Sequence, residues 1–314
     1  MTDRFRQLDE VLGARADHDV GLGPLTTYRV GGPARRFIRI EHDRDLTLVA
    51  EAVRVSDIPV LVVGKGSNLL VAEAGFDGLA IALGDGFAGV EIVGPRVRAG
   101  GAAALPVVAR RTAAAGLRGF EWAVGVPGSI GGAVRMNAGG HGSDMAASLQ
   151  RVRVLDLRGG EDIEVPATTL ELGYRRSRLT SDQLVVWAEL GLAEGDRAEA
   201  EALLGDIVRW RREHQPGGAN AGSVFTNPPG DSAGRLIDAA GAKGLRVGTA
   251  EVSTKHANFI QADEDGSADD IVALMAEVQA RVRAVSGITL IPETRLVGYG
   301  RHPFGLDTGQ TPTS

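Results

Sequence analysis

The sequence predicts a folded protein of mixed α+β or α/β class. Three observations carry that expectation. Short apolar runs of strand character alternate with longer stretches of helical period, and 43% of the residues are hydrophobic. Glycine, at 44 of 314 residues, is about twice its usual share. The glycines follow no G-X-Y period and only 13 residues are proline, which excludes collagen, while the apolar content argues against general disorder. At about 150 residues per domain the length accommodates two domains or one large one.

Residues 36–40, 59–63, 79–83, 90–93, 149–157 and 184–192 read as strands. Residues 43–55 and 104–115 read as helices, the second ending at Gly116. The segment 196–213 places Leu203, Leu204, Ile207 and Trp210 on one helical face, and the loop-like HQPGGANAG follows it. A domain boundary is therefore expected near 195–200. Further on, Ser232 is expected to cap a short helix ending at Gly241, and Ser267-Ala-Asp-Asp270 to open a long one as a variant capping box. In that long helix Ile271, Leu274, Met275, Val278, Val282 and Val285 recur at spacings of three and four, and Gly287 follows its end. The tail over 301–314 has little apolar content and is expected to be mobile.

The net charge of −6, from 40 acidic and 34 basic residues without a long basic run, disfavours nucleic acid as the main partner. Without cysteine there are no disulfides or thiolate metal sites, so a reducing compartment is expected. The first residues, MTDRFRQLDE, are charged where a signal peptide needs an apolar run. No stretch approaches the roughly 18 consecutive apolar residues of a membrane span. The expectation is a soluble cytoplasmic monomer with no membrane partner and no metal. Among the basic residues only Lys65, Lys243 and Lys255 are lysine.

Three glycine clusters are read as standing apart from the helices. They are TTYRVGGP over 26–33, GKGSNLL over 64–70, and GVPGSIGG over 125–132 leading into MNAGG over 136–140. Glycine allows positive φ and lets backbone N–H groups approach a ligand closely, so successive amides form an anion-binding concavity suited to a pyrophosphate. Lys65, Ser67, Asn68, Ser129 and Asn137 add ammonium, hydroxyl and amide groups. Neither common nucleotide loop is present: Leu69 stands where a Rossmann fingerprint needs its third glycine, and no Gly-Lys is followed by Ser or Thr as in a P-loop.

In order along the chain, PLTTYRVGGPA, VVGKGSNLL, GVPGSIGGAVRMNAGG, ELGYRRS, AGSVFTNP, the run from Gly234 to Ile260 and IPETRLVG resemble the motifs of UDP-N-acetylenolpyruvoylglucosamine reductases, the MurB family. The resemblance covers about residues 24–298. It implies an α+β protein with a two-part FAD-binding domain of the PCMH (vanillyl-alcohol-oxidase-like) type over 1–197, divided near residue 75, and a smaller substrate-binding domain over 198–300. It also implies non-covalent FAD, NADPH as co-substrate, and reduction of an enolpyruvyl double bond. The catalytic residues carried over are Arg175 against the substrate carboxylate, Ser223 as proton donor and Glu293 on the enolate side. The cofactor contacts carried over are Tyr28, Gly64, Lys65, Gly66, Ser67, Asn68, Leu69, Gly125, Pro127, Gly128, Ser129, Gly131, Gly132, Asn137 and Ala138. Tyr174, Asn227, Lys255 and His256 are carried over as substrate contacts.

Read from the residues alone, each of these has a plainer structural reading: Arg175 as a surface ion pair, Ser223 as a turn residue, Glu293 as the salt-bridge partner of Arg295. Two departures from the family pattern fall nearby, Thr226 and His214, each where lysine is common. Only 48 positions separate Arg175 from Ser223 (223 − 175), as in the shorter, type II form of the family. The competing readings are a small-molecule oxidase on the same flavin fold, and a flavin- or nucleotide-binding module without turnover. The first lacks support because no His or Cys occupies a covalent flavin attachment motif and the Ser223 and Glu293 motifs are present.

Overall fold

A computed structural model describes residues 3–300 and 303–304, so the expected mobile tail lies, apart from Pro303 and Phe304, outside the described residues. The chain divides into two compact units. Unit 1 comprises Met1–His18, Arg36–Lys65 and Gly78–Arg211, and unit 2 comprises Asp19–Arg35, Gly66–Asp77 and Arg212–Ser314. This division does not coincide with a single cut near 195–200, because two short N-terminal segments belong with the C-terminal residues. The reason is a pairing that no composition shift announces: Leu69–Val71 runs parallel to Arg295–Val297, with Leu69 opposite Arg295.

Unit 1 contains helices α1 (Asp3–Leu12), α2 (Asp43–Ser56), α3 (Leu105–Ala114), α4 (Ile130–Met136) and most of α5 (Arg197–His214). An antiparallel five-stranded sheet has the order Asp162–Pro166, Leu149–Asp156, Gln183–Gly191, Arg96–Gly100, Val90–Val93. Successive side chains of a strand face opposite ways, so Leu184 and Val186 enter one core while Val185 enters the other. The first core holds Phe5, Leu8 and Leu12 of α1 and Leu46, Val49 and Val53 of α2. The second holds Leu105, Val108 and Ala109 of α3 with Ile130 and Val134 of α4.

Helix α1 is hidden in the charged opening of the sequence. Its apolar residues recur at spacings of three and four, and Asp9 adds a bidentate pair with Arg36, Nε to Oδ1 at 2.8 Å and Nη2 to Oδ2 at 2.6 Å. Arg36 is only 2% exposed and also lies over the Phe5 ring. The hydrogen bond from Arg36 holds the Asp9 carboxyl below the usual carboxylate range. A depressed folded pKa stabilises fully above the unfolded value and is lost as pH falls through the folded one. Asp9→Asn is expected to lower unfolding free energy by about 2–3 kcal/mol at pH 7, because a buried guanidinium loses the carboxylate charge paired with it. Urea melts should show the difference shrinking as pH drops below about 3.8, the ordinary Asp value.

Two helical faces are narrower than their spacing suggests. In α5, Ala200, Leu204 and Ile207 are buried, but Leu203 and Trp210 remain about 40% exposed. The third glycine cluster is not all loop. Ser129 caps α4 there by accepting from the Gly132 N–H, and a Cβ at Gly131 would approach the carbonyl oxygens of Gly101 and Val185 at 3.2 and 3.4 Å. Close packing of a short helix on the sheet is therefore what Gly131 provides.

Unit 2 contains α6 (Ala233–Ala239), α7 (Ala268–Ser286) and a three-stranded antiparallel sheet of Arg246–Val247, Ala250–Val252 and Ile260–Ala262. Ile271, Leu274, Met275, Val278 and Val282 are buried, whereas Val285 is exposed in the last turn. Gly287 ends α7 with φ of 74°. Ser232 caps α6 and Ser267 caps α7, but the reciprocal arm of the capping box is absent. Asp270 instead accepts from the Thr249 amide and hydroxyl, and the Ser267 amide donates to the Thr249 hydroxyl. No described helix is long and apolar enough to cross a membrane.

Candidate active site

The loop Gly64–Asn68 leaves the strand Val60–Val62, and its five successive amides donate to no other group among the described residues. The amides of Gly128 and Ser129 are likewise unbonded, whereas those of Gly131, Gly132 and Ala138 are spent on Gly101, Ser129 and Ala133. Orphaned main-chain donors in series make an anion cradle. A Cβ at Gly64 would lie 2.6 Å from the Ser129 Oγ, so in unit 1 the second and third glycine clusters abut only because Gly64 has none. Pro127 is exposed and Gly125 is buried, its missing Cβ making room for Arg211 and Ile207 of α5 and for His141. Exposed Lys65 makes no ion pair among the described residues. These residues fit the diphosphate of a dinucleotide cofactor.

Asn137 bonds protein groups through its side chain. Its amide donates to Asp144 Oδ2 at 3.1 Å and to the Gly173 carbonyl at 2.9 Å and accepts from the Ala146 amide at 2.9 Å, which leaves the side chain occupied by protein. The Gly173 contact secures a tight turn in which Gly173 and Arg176 exchange backbone hydrogen bonds at 3.0 and 3.2 Å. At its tip Arg175 adopts φ of 55°, a left-handed conformation that costs a non-glycine residue about 1–2 kcal/mol. The half-buried guanidinium donates to the Gly139 carbonyl at 2.9 Å and stacks on the exposed Tyr174 ring. Strain held on a functional group is a recurrent feature of ligand clamps.

In unit 2, Gly66 (φ 61°) joins the first glycine cluster to the second. Its carbonyl accepts from Thr27, and a Cβ would fall 2.1 Å from the Leu25 carbonyl oxygen. Tyr28 is 0% exposed inside the apolar core, so its side chain offers no surface to a cofactor. Burial pushes its phenol pKa up, softened by the Ala221 backbone and the Thr294 hydroxyl, although neither makes a well-formed hydrogen bond to it. Leu69 is buried in the strand paired with Arg295, and Ser67 is half-buried with no hydrogen-bond partner among the described residues. The Asn68 side chain donates to the Glu293 carbonyl at 3.1 Å, and its own carbonyl accepts from the Arg295 amide at 3.0 Å. No ion pair joins Glu293 to Arg295 among the described residues, and burial lowers the Arg295 pKa.

Ser223 and Glu293 meet through one peptide. The Val224 carbonyl accepts from the Glu293 amide at 2.7 Å, and Phe225 bridges to Pro292. The half-buried Ser223 hydroxyl has no hydrogen-bond partner among the described residues. It opens on a cavity of about 350 Å³, also lined by Asn227, Arg235, Asp238, Lys243, Lys255, His256 and Asn258. Asn227 accepts from the Ala233 amide at 3.0 Å, Lys255 donates to the Arg212 carbonyl, and Lys243 lies 3.5 Å from Asp238. Burial and the charge of Lys243 lower the His256 pKa, so its imidazole is neutral near pH 7. Of the cavity's three cationic side chains Arg235 is paired with Asp231 and Lys243 lies by Asp238, so Lys255 leaves one positive charge in excess, which suits an anionic ligand. Thr226 spends its hydroxyl on the Ile291 carbonyl. Reasoning from motifs did not assign Arg235, Asp238 or Asn258 to this cavity; Lys243 carried one signal, the scarcity of lysine.

Residues 214–297 match the family described as UDP-N-acetylenolpyruvoylglucosamine reductase, C-terminal domain, and residues 34–165 match an FAD binding domain. The chain is 43% identical over 282 residues to the UDP-N-acetylenolpyruvoylglucosamine reductase of Heliobacterium modesticaldum, covering 87% of this chain and 88% of that one. It is 42% identical to the enzyme of the same name from Acidiphilium cryptum, over 95% and 96% of the two chains. The crystal structure of UDP-N-acetylenolpyruvylglucosamine reductase from Thermus caldophilus superposes with a TM-score of 0.80 at 36% identity, covering 90% of this chain and 99% of that one. With an FAD-binding domain, the reductase C-terminal domain, and an α+β fold shared along nearly its whole length, the chain belongs to the UDP-N-acetylenolpyruvoylglucosamine reductase family.

Proposed function

We propose that the protein catalyses NADPH-dependent reduction of UDP-N-acetylglucosamine enolpyruvate to UDP-N-acetylmuramate, a step of peptidoglycan precursor synthesis. The observation that carries the reading is Val224, whose carbonyl accepts from the Glu293 amide and which follows Ser223, a residue lining a cation-lined cavity with a hydroxyl that has no hydrogen-bond partner among the described residues. FAD, when bound, would supply two-electron chemistry between NADPH and the enolpyruvyl double bond. The loops at Gly64–Asn68 and Gly128–Ser129, whose amides donate to no other group among the described residues, would hold it. When the terminal carbon of the enolpyruvyl ether gains hydride, negative charge spreads onto the substrate carboxylate as an enediolate. Arg175 binds that carboxylate, and a planar guanidinium strengthens its grip as charge builds there. Ser223 gives its proton to the adjacent carbon, and Glu293 supports the enediolate by hydrogen bonding. Asn227, Lys255 and His256 contact the anionic, nucleotide-bearing part of the substrate. The reading extends to a monomer in the cytoplasm.

The test is anaerobic. Protein reduced with one equivalent of NADPH should regain its oxidised flavin spectrum on addition of the enolpyruvyl nucleotide, and NADPH consumption should require both the flavin and that substrate. Full activity after removal of the flavin, or bleaching that the substrate does not reverse, would sink the reading. Within it, Arg175→Lys is expected to lower kcat/KM by about 10–100-fold, because a point charge cannot reproduce the bidentate contact. Steady-state kinetics with the enolpyruvyl nucleotide varied would read the loss.

A further inference from the structure

Asn258, 3% exposed, makes a hydrogen bond from every polar group it owns. Its side-chain Oδ1 accepts from the Phe225 amide at 3.0 Å, and its Nδ2 donates to the Phe225 carbonyl at 2.8 Å. Its backbone carbonyl accepts from the Val224 amide at 2.9 Å, and its backbone amide donates to His256 Nδ1 at 3.3 Å. Three of the four bonds therefore end on the two residues that follow Ser223. Since the Val224 carbonyl accepts from the Glu293 amide, the same short segment is clamped on both sides.

An irregular segment such as Ser223–Phe225 has no helix or long ladder to fix its main chain, so the placement of the Ser223 hydroxyl is set by whatever holds Val224 and Phe225. A side-chain amide carries an acceptor and a donor side by side, so it can pair with both backbone groups of a single residue and imitate a neighbouring strand. We propose that Asn258 is a positioning residue for proton delivery, fixing the main chain that presents Ser223 and, through Val224, coupling it to Glu293. His256, by accepting from the Asn258 amide, links this clamp to the wall of the cation-lined cavity. The proposal rests on Ser223 being the proton donor, and its effect is confined to the half-reaction in which the enolpyruvyl substrate accepts hydride and a proton.

The holoenzyme carrying Asn258→Ala or Asn258→Asp tests this. Aspartate keeps the shape and the acceptor for the Phe225 amide but loses the donor to the Phe225 carbonyl. Flavin reduction by NADPH should stay within about twofold of the parent rate, while reoxidation by the enolpyruvyl nucleotide falls by about 10–100-fold, the scale expected of a displacement near 1 Å at a reacting group. Amide hydrogen exchange should accelerate at Phe225 in Asn258→Ala, a readout independent of turnover. Equal losses in both half-reactions, or loss of cooperative melting in both variants, would overturn the proposal and make Asn258 a residue for folding alone. A Ser223→Ala variant assayed alongside separates the two layers. If it reoxidises at the parent rate, the donor assignment fails; if it is slow while both Asn258 variants are normal, only the positioning role fails.

Discussion

Ser223→Ala should bind flavin and be reduced by NADPH at close to the parent rate, yet be reoxidised by the enolpyruvyl nucleotide about 10²–10⁴-fold more slowly, the range associated with loss of a positioned proton donor. The argument begins with acidity. A serine hydroxyl is a weak acid in water, so its competence depends on being held within hydrogen-bond reach of a strongly basic carbon. In this structure the hydroxyl is half-buried, opens on the cavity and forms no hydrogen bond among the described residues. The backbone behind it is pinned by Asn258 and Glu293. Replacing the hydroxyl by hydrogen removes one polar atom that makes no hydrogen bond among the described residues, so stability should change by no more than about 0.5 kcal/mol. Rapid-mixing absorbance of the flavin reads both half-reactions in one sample. Slowing of both by the same factor would show that Ser223 supports binding or folding and not protonation. A solvent deuterium isotope effect seen on parent reoxidation and altered in the variant would locate the loss at proton transfer.

Elements with a strong period were legible in the sequence. The helices at 43–56 and 268–286 follow from apolar spacing because each presents one face to a core, and the strands at 149–156 and 183–191 read as apolar runs because both of their faces are buried. Helix α1 escaped because four apolar residues in ten, set among charges, give little signal until the partner surface is known. The division into units escaped for a related reason: the pairing of Leu69–Val71 with Arg295–Val297 joins residues more than two hundred positions apart. Motif reasoning found the loops with unbonded amides without showing which of their side chains the protein itself takes up. Asn137 and Asn68 use their side chains on protein carbonyls, near Arg175 and at Glu293 respectively. Tyr28 is a core residue. A motif records every residue a site needs, without saying which touch the ligand and which hold those that do. Asn258 was missed for the same reason, since three of its four hydrogen bonds reach Val224 and Phe225, more than thirty positions away, and leave no trace in local spacing.

Gly66→Ala is expected to be the most damaging single substitution in the cofactor loops, lowering unfolding free energy by about 2–5 kcal/mol, from about 1–2 for a left-handed alanine and about 1–3 for overpacking. The backbone sits at φ of 61°, and the added methyl would fall 2.1 Å from the Leu25 carbonyl oxygen and 2.6 Å from the Thr26 Cα. Both obstacles are main chain, so no rotamer change relieves them. Relief requires Gly66 to move away from the 25–27 segment, which would also break the hydrogen bond from the Thr27 amide to the Gly66 carbonyl. Gly94 separates the two causes. It has nearly the same φ, 55°, but an added methyl there would meet nothing within 4 Å, so Gly94→Ala should show only the conformational cost of about 1–2 kcal/mol. Chemical denaturation of both variants gives the difference directly, and flavin fluorescence released on dilution reports whether the Gly66 loop still holds its cofactor. If the two alanines destabilise equally, the close approach at Gly66 contributes nothing and the glycine serves conformation alone. If Gly66→Ala costs more and also releases flavin, the contact between the first and second glycine clusters shapes the cradle itself.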